Sequence, residues 1–200
     1  MTQPQTVDEQ PLWQLAVVEG AFVLVAALVI YLRHSAGHIS FALPALAQAA
    51  IGLPVGGAMG VLLGFAALRS PWRAAVIEGL LPLRLVIAAV WSIVVVSILA
   101  GVGEELLFRA ALQPWIGIWS TSLLFGIAHS GTARLHEGIS PGKLAYLVFA
   151  IAAGVLLGLL YQSAGLLASM TAHAAYDTGT LCVLAPAIAA WRPTGDQADD

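Results

Sequence analysis

Charged residues and cysteine are scarce in this chain of 200 residues. Only 10% of its residues are charged, whereas an ordinary soluble domain carries about 25%. Eight Lys and Arg residues against eleven Asp and Glu residues leave no basic excess, so no nucleic-acid partner is expected. The single cysteine, Cys182, excludes an internal disulfide and any metal site built from several cysteines. The small share of charged residues points to a membrane protein.

Long apolar stretches take the place of the missing charges, and 60% of the residues are hydrophobic. A helix needs about 20 mostly apolar residues to cross a bilayer. We predict an all-α transmembrane helix bundle with about six spans, within a range of six to eight, that forms a single membrane domain over residues 1–200. The predicted spans cover residues 12–32, 41–68, 85–112, 116–129, 144–161 and 166–190. The polar ends, residues 1–11 and 191–200, are predicted to be tails.

The distribution of Lys and Arg predicts the orientation of these spans. The first twelve residues contain neither residue type, so we expect the first apolar segment to be retained as a span and not removed as a signal peptide. In the six-span arrangement only Arg33 lies on one side outside the membrane. The other side holds Arg69, Arg73, Arg84, Arg134, Lys143 and Arg192. The positive-inside rule then places both termini in the cytoplasm.

Glycine recurs every four residues in the second predicted span, at Gly56, Gly60 and Gly64. Small residues at this spacing let another helix approach closely. We predict that this stripe packs against a neighbouring helix. Two alternatives are a groove for a substrate and a surface through which two copies of the chain could form a homodimer.

Three residue pairs in the second half of the chain are spaced four apart, which puts both members on one face of a helix. They are Glu105 with Arg109, Phe125 with His129, and His173 with Asp177, and Glu104 directly precedes the first pair. A charged group at mid-bilayer depth costs about 2.5–3.5 kcal/mol on insertion scales, so such groups are rare and functional by default. The three pairs therefore predict a functional site.

The depth of these groups indicates whether they could meet. Counted at 1.5 Å per helical residue, Glu104 lies about 15 Å and His129 about 22 Å from the turn predicted at Pro114. His173 and Asp177 lie about 12 Å and about 18 Å from the turn before the last span. All four groups fall within about 10 Å of one another in depth, near the middle of the membrane.

Hydrolysis is the chemistry that these residue types permit. A carboxylate and an imidazole that face one water, here Glu104 and His129, can orient and deprotonate it. A second imidazole with a neighbouring acid, His173 with Asp177, could stabilise an oxyanion or protonate a leaving amine. The same four side chains would also suit one divalent metal such as zinc, so both mechanisms stay open.

The remaining residues of the motifs are predicted to have structural roles. Glu105 and Arg109 are expected to form a buried ion pair, and Phe125 is expected to pack against its neighbours. Outside the motifs, Glu19 lies near the start of the first span, and we expect its carboxylate to reach the nearby headgroups.

At these residues the sequence resembles the CPBP family of intramembrane endopeptidases, which includes CAAX proteases and bacteriocin-processing or self-immunity (Abi-like) proteins. That family shows EExxxR, FxxxH, and HxxxN or HxxxD on successive helices of a membrane bundle. The ordered set is specific, although each motif alone is weak, and it assigns residues 85–190 to a CPBP-like catalytic core. The motifs read Glu104-Glu105-Leu106-Leu107-Phe108-Arg109, Phe125-Gly126-Ile127-Ala128-His129 and His173-Ala174-Ala175-Tyr176-Asp177.

The resemblance implies an endopeptidase of the bacterial inner (plasma) membrane, with membrane lipid and a protein or peptide substrate as its partners. Glu104 and His129 would activate the attacking water, while His173 and Asp177 would support the oxyanion or complete a metal site. The glutamate mechanism requires no cofactor, whereas the alternative uses one divalent metal. Asp177 replaces the asparagine frequent in the family, which favours cation binding or a protonated carboxyl. Prenylated CAAX ends, bacteriocin leaders and other membrane proteins are all candidate substrates.

Two other functions are compatible with the same residues. A family member could act in bacteriocin self-immunity or as a membrane scaffold without proteolysis. A proton-coupled transporter could use mid-membrane carboxylates as a proton relay. Transporters often show internal repeats, and the sequence shows none, which argues against the transporter.

Overall fold

The computed structural model describes residues 11–33, 39–129, 138–139 and 141–191, so the predicted tails lie almost wholly outside the described residues. Within those ranges the chain is all-α, as predicted, and no strand is present. The helices are α1 (Leu12–Leu32), α2 (Ala45–Arg69), α3 (Arg73–Leu80), α4 (Val90–Glu105), α5 (Gln113–Ala128), α6 (Pro141–Ser163) and α7 (Leu166–Ala189). Short 3₁₀ turns at Leu81–Leu83 and Val86–Ala88 precede α4.

Four stretches of the described chain are long and apolar enough to cross a membrane. They are Leu12–Leu32, Ala45–Arg69, Val90–Ala128 and Pro141–Ser163. The third stretch, at 39 residues, covers most of the third and the fourth predicted spans. The sixth predicted span is present as α7, but its polar residues, among them His173 and Asp177, make it less apolar than the others. The protein is an all-α membrane helix bundle.

The chain reverses direction inside the stretch Val90–Ala128. Gly117 has φ of 77° and ψ of 168°, a non-helical conformation within α5 that glycine adopts without a steric penalty. A straight helix would separate Glu104 from His129 by about 37 Å, yet their side chains lie 3.7 Å apart. The predicted turn at Pro114 is therefore displaced to Gly117, because Pro114 falls at the first helical positions of α5, where a proline is tolerated.

A π-helical segment, Leu106–Leu112, follows α4 directly and was not predicted from the sequence. Such segments are rare and occur frequently at functional sites. This one begins immediately after the two adjacent glutamates and contains Arg109. Gln113 at its end donates a hydrogen bond of 3.0 Å from Nε2 to the Gly158 carbonyl oxygen of α6, which ties the segment to the neighbouring helix.

The most extensive helix contact joins α2 and α7, and the glycine stripe lies in it. Gly56, Gly60 and Gly64 are all buried. A Cβ atom at Gly56 or Gly60 would overlap the carbonyl oxygen of Ala172 or Tyr176, respectively. The stripe is thus a packing surface within one chain, as predicted. The expectation that it could join two copies needs correction, because α7 already covers it.

A glutamine of α2 fixes the start of α7. The backbone N–H groups of Leu167 and Ala168 donate to Gln48 Oε1 at 2.8 Å and 3.3 Å. The residue before α7 is Gly165, which offers no side-chain cap, so Gln48 satisfies two N–H groups that the helix itself leaves unpaired. Together with the glycine stripe, this contact sets the position of α7 and hence of His173.

Two adjacent glycines of α2 provide a matched test of this packing. Gly56→Ala is expected to lower the free energy of unfolding by about 1–3 kcal/mol, because the new methyl group meets the backbone of α7. Gly57→Ala has open space around it and should be neutral or slightly stabilising. The unfolding temperature of both variants is measured by thermal unfolding in detergent. Equal unfolding temperatures would contradict the close contact between α2 and α7.

Candidate active site

Glu105 is a fully enclosed charged group of the site, with no solvent exposure. Its Oε2 atom accepts a hydrogen bond of 3.0 Å from Arg109 Nε, one helical turn further along. Its Oε1 atom lies 2.9 Å from His173 Nδ1 on α7. Because a carboxylate oxygen only accepts, Nδ1 of His173 carries the hydrogen of that bond. The ion pair expected between Glu105 and Arg109 is present, and it extends to a histidine that was assigned to the catalytic set.

The Arg109 guanidinium is also fully buried. Its two terminal nitrogens have no hydrogen-bond partner among the described residues, but its central carbon lies 5.0 Å from the centre of the Phe125 ring. A cation over an aromatic face at this distance is stabilised by the ring quadrupole. Arg109 therefore joins an ion pair on one side to an aromatic ring on the other.

Phe125 packs against both histidines of the site, in keeping with the packing role expected for it. Its ring centre lies 4.5 Å from that of His129 and 5.8 Å from that of His173. Phe108 contacts it edge to face at 5.2 Å, a favourable arrangement for aromatic pairs. This buried ring fixes the spacing between the two imidazoles.

Glu104 and His129 form the more accessible part of the site. Glu104 Oε2 lies 3.7 Å from His129 Nε2, and the two side chains are 12% and 23% exposed. The Nδ1 atom of His129 lies 2.8 Å from the carbonyl oxygen of Phe125, which can only accept a hydrogen. A neutral His129 then carries its hydrogen on Nδ1 and presents the lone pair of Nε2 to Glu104.

His173 lies between two carboxylates. Besides the contact with Glu105, its Nε2 atom lies 3.5 Å from Asp177 Oδ2, one turn further along α7. The Asp177 side chain is 26% exposed, whereas that of His173 is 3% exposed. Because each ring nitrogen faces a carboxylate oxygen, the position suits an imidazole that donates hydrogens from both nitrogens.

The predicted site residues are thus brought together on α4, α5 and α7, but not as a metal-binding group. Within residues 11–33, 39–129, 138–139 and 141–191, no three His, Cys, Asp or Glu side chains are placed to hold a metal ion. His173 directs Nδ1 to Glu105, and Nδ1 of His129 faces a backbone carbonyl. The four candidate metal ligands do not fit a metal ion in this arrangement.

Glu19 belongs to the surroundings of the site, contrary to the expectation that it reaches the headgroups. The side chain is buried, with 9% of the residue exposed, and it faces α4 at Gly103. The signal in the sequence was that Glu19 is the one charged residue of the first span. Its Oε2 atom lies beside Gly103 of α4, so the carboxyl is directed into the bundle.

The ion pair between Glu105 and Arg109 can be tested by removing one partner and then both. Arg109→Met leaves a buried carboxylate without its cation and should lower the free energy of unfolding by about 3–5 kcal/mol. Glu105→Gln added to Arg109→Met removes that charge while keeping an acceptor for His173, so it should restore part of the loss. Thermal unfolding in detergent compares the single and the double variant. A double variant that is no more stable than Arg109→Met would contradict the pairing.

Comparisons with known proteins bear on the same part of the chain. Residues 86–179 match the family model described as type II CAAX prenyl endopeptidase Rce1-like. Uncharacterized protein YpbD of Bacillus subtilis (strain 168) is 37% identical over 91 residues, which are 45% of this chain and 44% of YpbD. The chain thus spans less than half the length of that relative. No solved structure matches the chain.

The matched segment contains all three motifs and runs from the 3₁₀ turn before α4 into α7. The helices that carry Glu104, His129 and His173 are therefore the ones that the family shares. Residues 86–179 of this membrane protein thus resemble the CAAX-type intramembrane proteases of the CPBP family.

Proposed function

We propose that this protein is an intramembrane endopeptidase that hydrolyses a peptide bond of a membrane-associated protein or peptide, with a water activated by Glu104 and His129. The observation that carries the proposal is the contact between these two side chains. Their atoms Oε2 and Nε2 lie 3.7 Å apart, too far for a good direct hydrogen bond. A water oxygen at about 2.8 Å from each atom would satisfy both.

The two groups suit the first proton transfer. Glu104 Oε2 is buried and has no hydrogen-bond partner among the described residues, so an acceptor is available beside the Nε2 lone pair of His129. A water held there would give one proton to this pair as its oxygen attacks the carbonyl carbon of the substrate. The new C–O bond makes a tetrahedral intermediate with negative charge on the former carbonyl oxygen.

His173 and Asp177 suit the second half of the reaction. The Nε2 hydrogen of His173, whose contact with Asp177 Oδ2 is long at 3.5 Å, can turn to the negative oxygen of the intermediate and stabilise it. When the C–N bond breaks, the leaving amine takes the proton that came from the water, and the carbonyl is restored as a carboxylic acid. Glu105 orients His173 through the 2.9 Å contact with Nδ1, in the way an acidic partner orients a histidine, and Asp177 faces Nε2 from 3.5 Å before the intermediate forms.

The different roles of Glu104 and Glu105 follow from their surroundings. Glu105 already has both oxygens occupied, by Arg109 and His173, and it is fully enclosed. Glu104 is partly exposed, and one of its oxygens has no partner. Of the two adjacent glutamates, Glu104 is therefore the one that can meet water and substrate, and Glu105 has a structural role.

The surroundings of the site favour a substrate that reaches it from the membrane. Large apolar side chains on α4 and α5 are exposed at the protein surface, among them Trp91, Trp115 and Trp119. Tryptophan is enriched where the bilayer meets water. The family description names prenyl endopeptidases, so we propose a peptide made membrane-bound by a prenyl group or an apolar segment. The expected setting is the bacterial inner membrane, with both termini in the cytoplasm.

Cleavage by purified, detergent-solubilised protein tests the proposal, with membrane-anchored and prenylated peptides as substrates. Glu104→Gln removes the base and should lower kcat by about 10²–10⁴-fold. Glu78→Gln, which removes an exposed carboxylate on α3, is the matched control and should cleave like the wild type. A strong chelator should leave wild-type cleavage unchanged, because the mechanism uses no metal.

Two results would contradict this mechanism. Full activity of Glu104→Gln would show that another group activates the water. Loss of wild-type activity in the chelator, restored by added zinc, would show that a metal participates. A folded wild type that cleaves none of these peptides would favour a self-immunity or scaffold role instead.

A further inference from the structure

Packing alone does not explain why the carboxylate of Glu19 is buried in the first span. It is one of two buried residues of α1, the other being Ala26. Most large side chains of this helix are exposed at the protein surface, where they suit lipid. An ionisable side chain that faces the interior of a membrane bundle is costly and is by default functional.

The carboxyl of Glu19 lies against the backbone that carries Glu104. A Cβ atom at Gly103 would lie 2.5 Å from Glu19 Oε2 and 2.9 Å from the Glu19 carbonyl oxygen. Helices α1 and α4 thus touch at this point, which only a residue without a side chain permits. Gly103 immediately precedes Glu104, so the Glu19 carboxyl lies against the turn of α4 that carries Glu104.

Two carboxyl oxygens of this region lack a hydrogen-bond donor. Both Glu19 Oε2 and Glu104 Oε2 are buried without a partner among the described residues. Two ionised carboxylates side by side repel each other, and each buried oxygen needs a donor. One hydrogen held between the two carboxyl groups meets both needs, and Glu104 Oε2 keeps its second lone pair for the water beside His129 Nε2.

We propose that Glu19 is a positioning residue of the peptidase site, whose carboxyl holds that of Glu104 through a hydrogen bond between the two groups. The inference rests on the proposed function, since it concerns the group that activates the water. Glu19 does not touch the substrate. It restricts the rotation of the Glu104 side chain, so that one oxygen stays directed towards His129 Nε2. Such orientation of a reacting group is worth a large factor in rate.

Two variants of Glu19 separate this role from packing. Glu19→Leu removes the hydrogen bond but suits an apolar helix, so it should fold and lower kcat about 10- to 100-fold with KM unchanged. Glu19→Gln retains a side-chain amide that can donate to Glu104, so it should keep about half or more of the wild-type kcat. Glu78→Leu, on the exposed face of α3, is the control for loss of a carboxylate elsewhere. Thermal unfolding in detergent verifies that each variant is folded.

Each kinetic outcome decides the question. A low kcat for Glu19→Leu with recovery in Glu19→Gln supports the hydrogen bond. Wild-type kcat in both variants overturns the proposal while leaving the peptidase function in place. Equal loss in both also overturns it, because a negative charge at position 19 and not a hydrogen bond would then be required.

Infrared spectroscopy provides a measurement that does not depend on cleavage. A hydrogen shared by the two carboxyl groups gives a carboxylic acid carbonyl band in the wild type, which should disappear in Glu19→Gln and shift in Glu104→Gln. An unchanged spectrum in both variants overturns the proposal. If no peptide is cleaved, the proposed function fails, and this band still decides whether the two carboxyl groups are paired.

Discussion

The buried carboxylate of Glu105 is the constraint on which the rest of the site depends. A charge enclosed in a membrane helix bundle is costly unless hydrogen-bonded partners surround it. Arg109 supplies one partner from the π-helical segment that follows α4, and His173 supplies the other from α7. These two contacts fix the position of α7 along the end of α4. The arrangement of the helices and the orientation of His173 are therefore fixed by the same three side chains.

Once this network is in place, the neighbouring residue is free for chemistry. Glu104 follows Gly103, whose missing side chain lets α1 approach, and its Oε2 atom faces His129 across 3.7 Å. The Phe125 carbonyl oxygen accepts the hydrogen bond from Nδ1 of His129. The Phe125 ring packs against Arg109 and against both imidazoles. Phenylalanine in the FxxxH motif thus has two functions, one through its backbone and one through its ring. Each motif residue contributes to orientation as well as to charge.

Much of the fold was predictable, because apolar length and glycine spacing are local properties of the sequence. The first span matches α1 residue for residue, and the glycine stripe packs as expected. The turn at Gly117 and the π-helical segment were not predictable, since a positive φ angle and a widened helical turn depend on tertiary contacts. The four-residue spacing of Glu105 and Arg109 indicated their ion pair. The hydrogen bond from His173 to Glu105 was not predictable, because it joins helices that are distant in the sequence. The inward position of Glu19 depends on the contact between α1 and α4, which its place as the lone charge of the first span does not reveal.

The division of work between the two adjacent glutamates is the central claim, and a side-by-side comparison of Glu104→Gln and Glu105→Gln tests it most directly. Turnover of a membrane-anchored peptide and the thermal unfolding temperature in detergent would be measured for both variants. The account predicts that Glu104→Gln unfolds like the wild type but does not cleave. It predicts that Glu105→Gln unfolds at a clearly lower temperature, because Arg109 loses its counterion. A Glu104→Gln variant that cleaves, or a Glu105→Gln variant with wild-type stability, would contradict it.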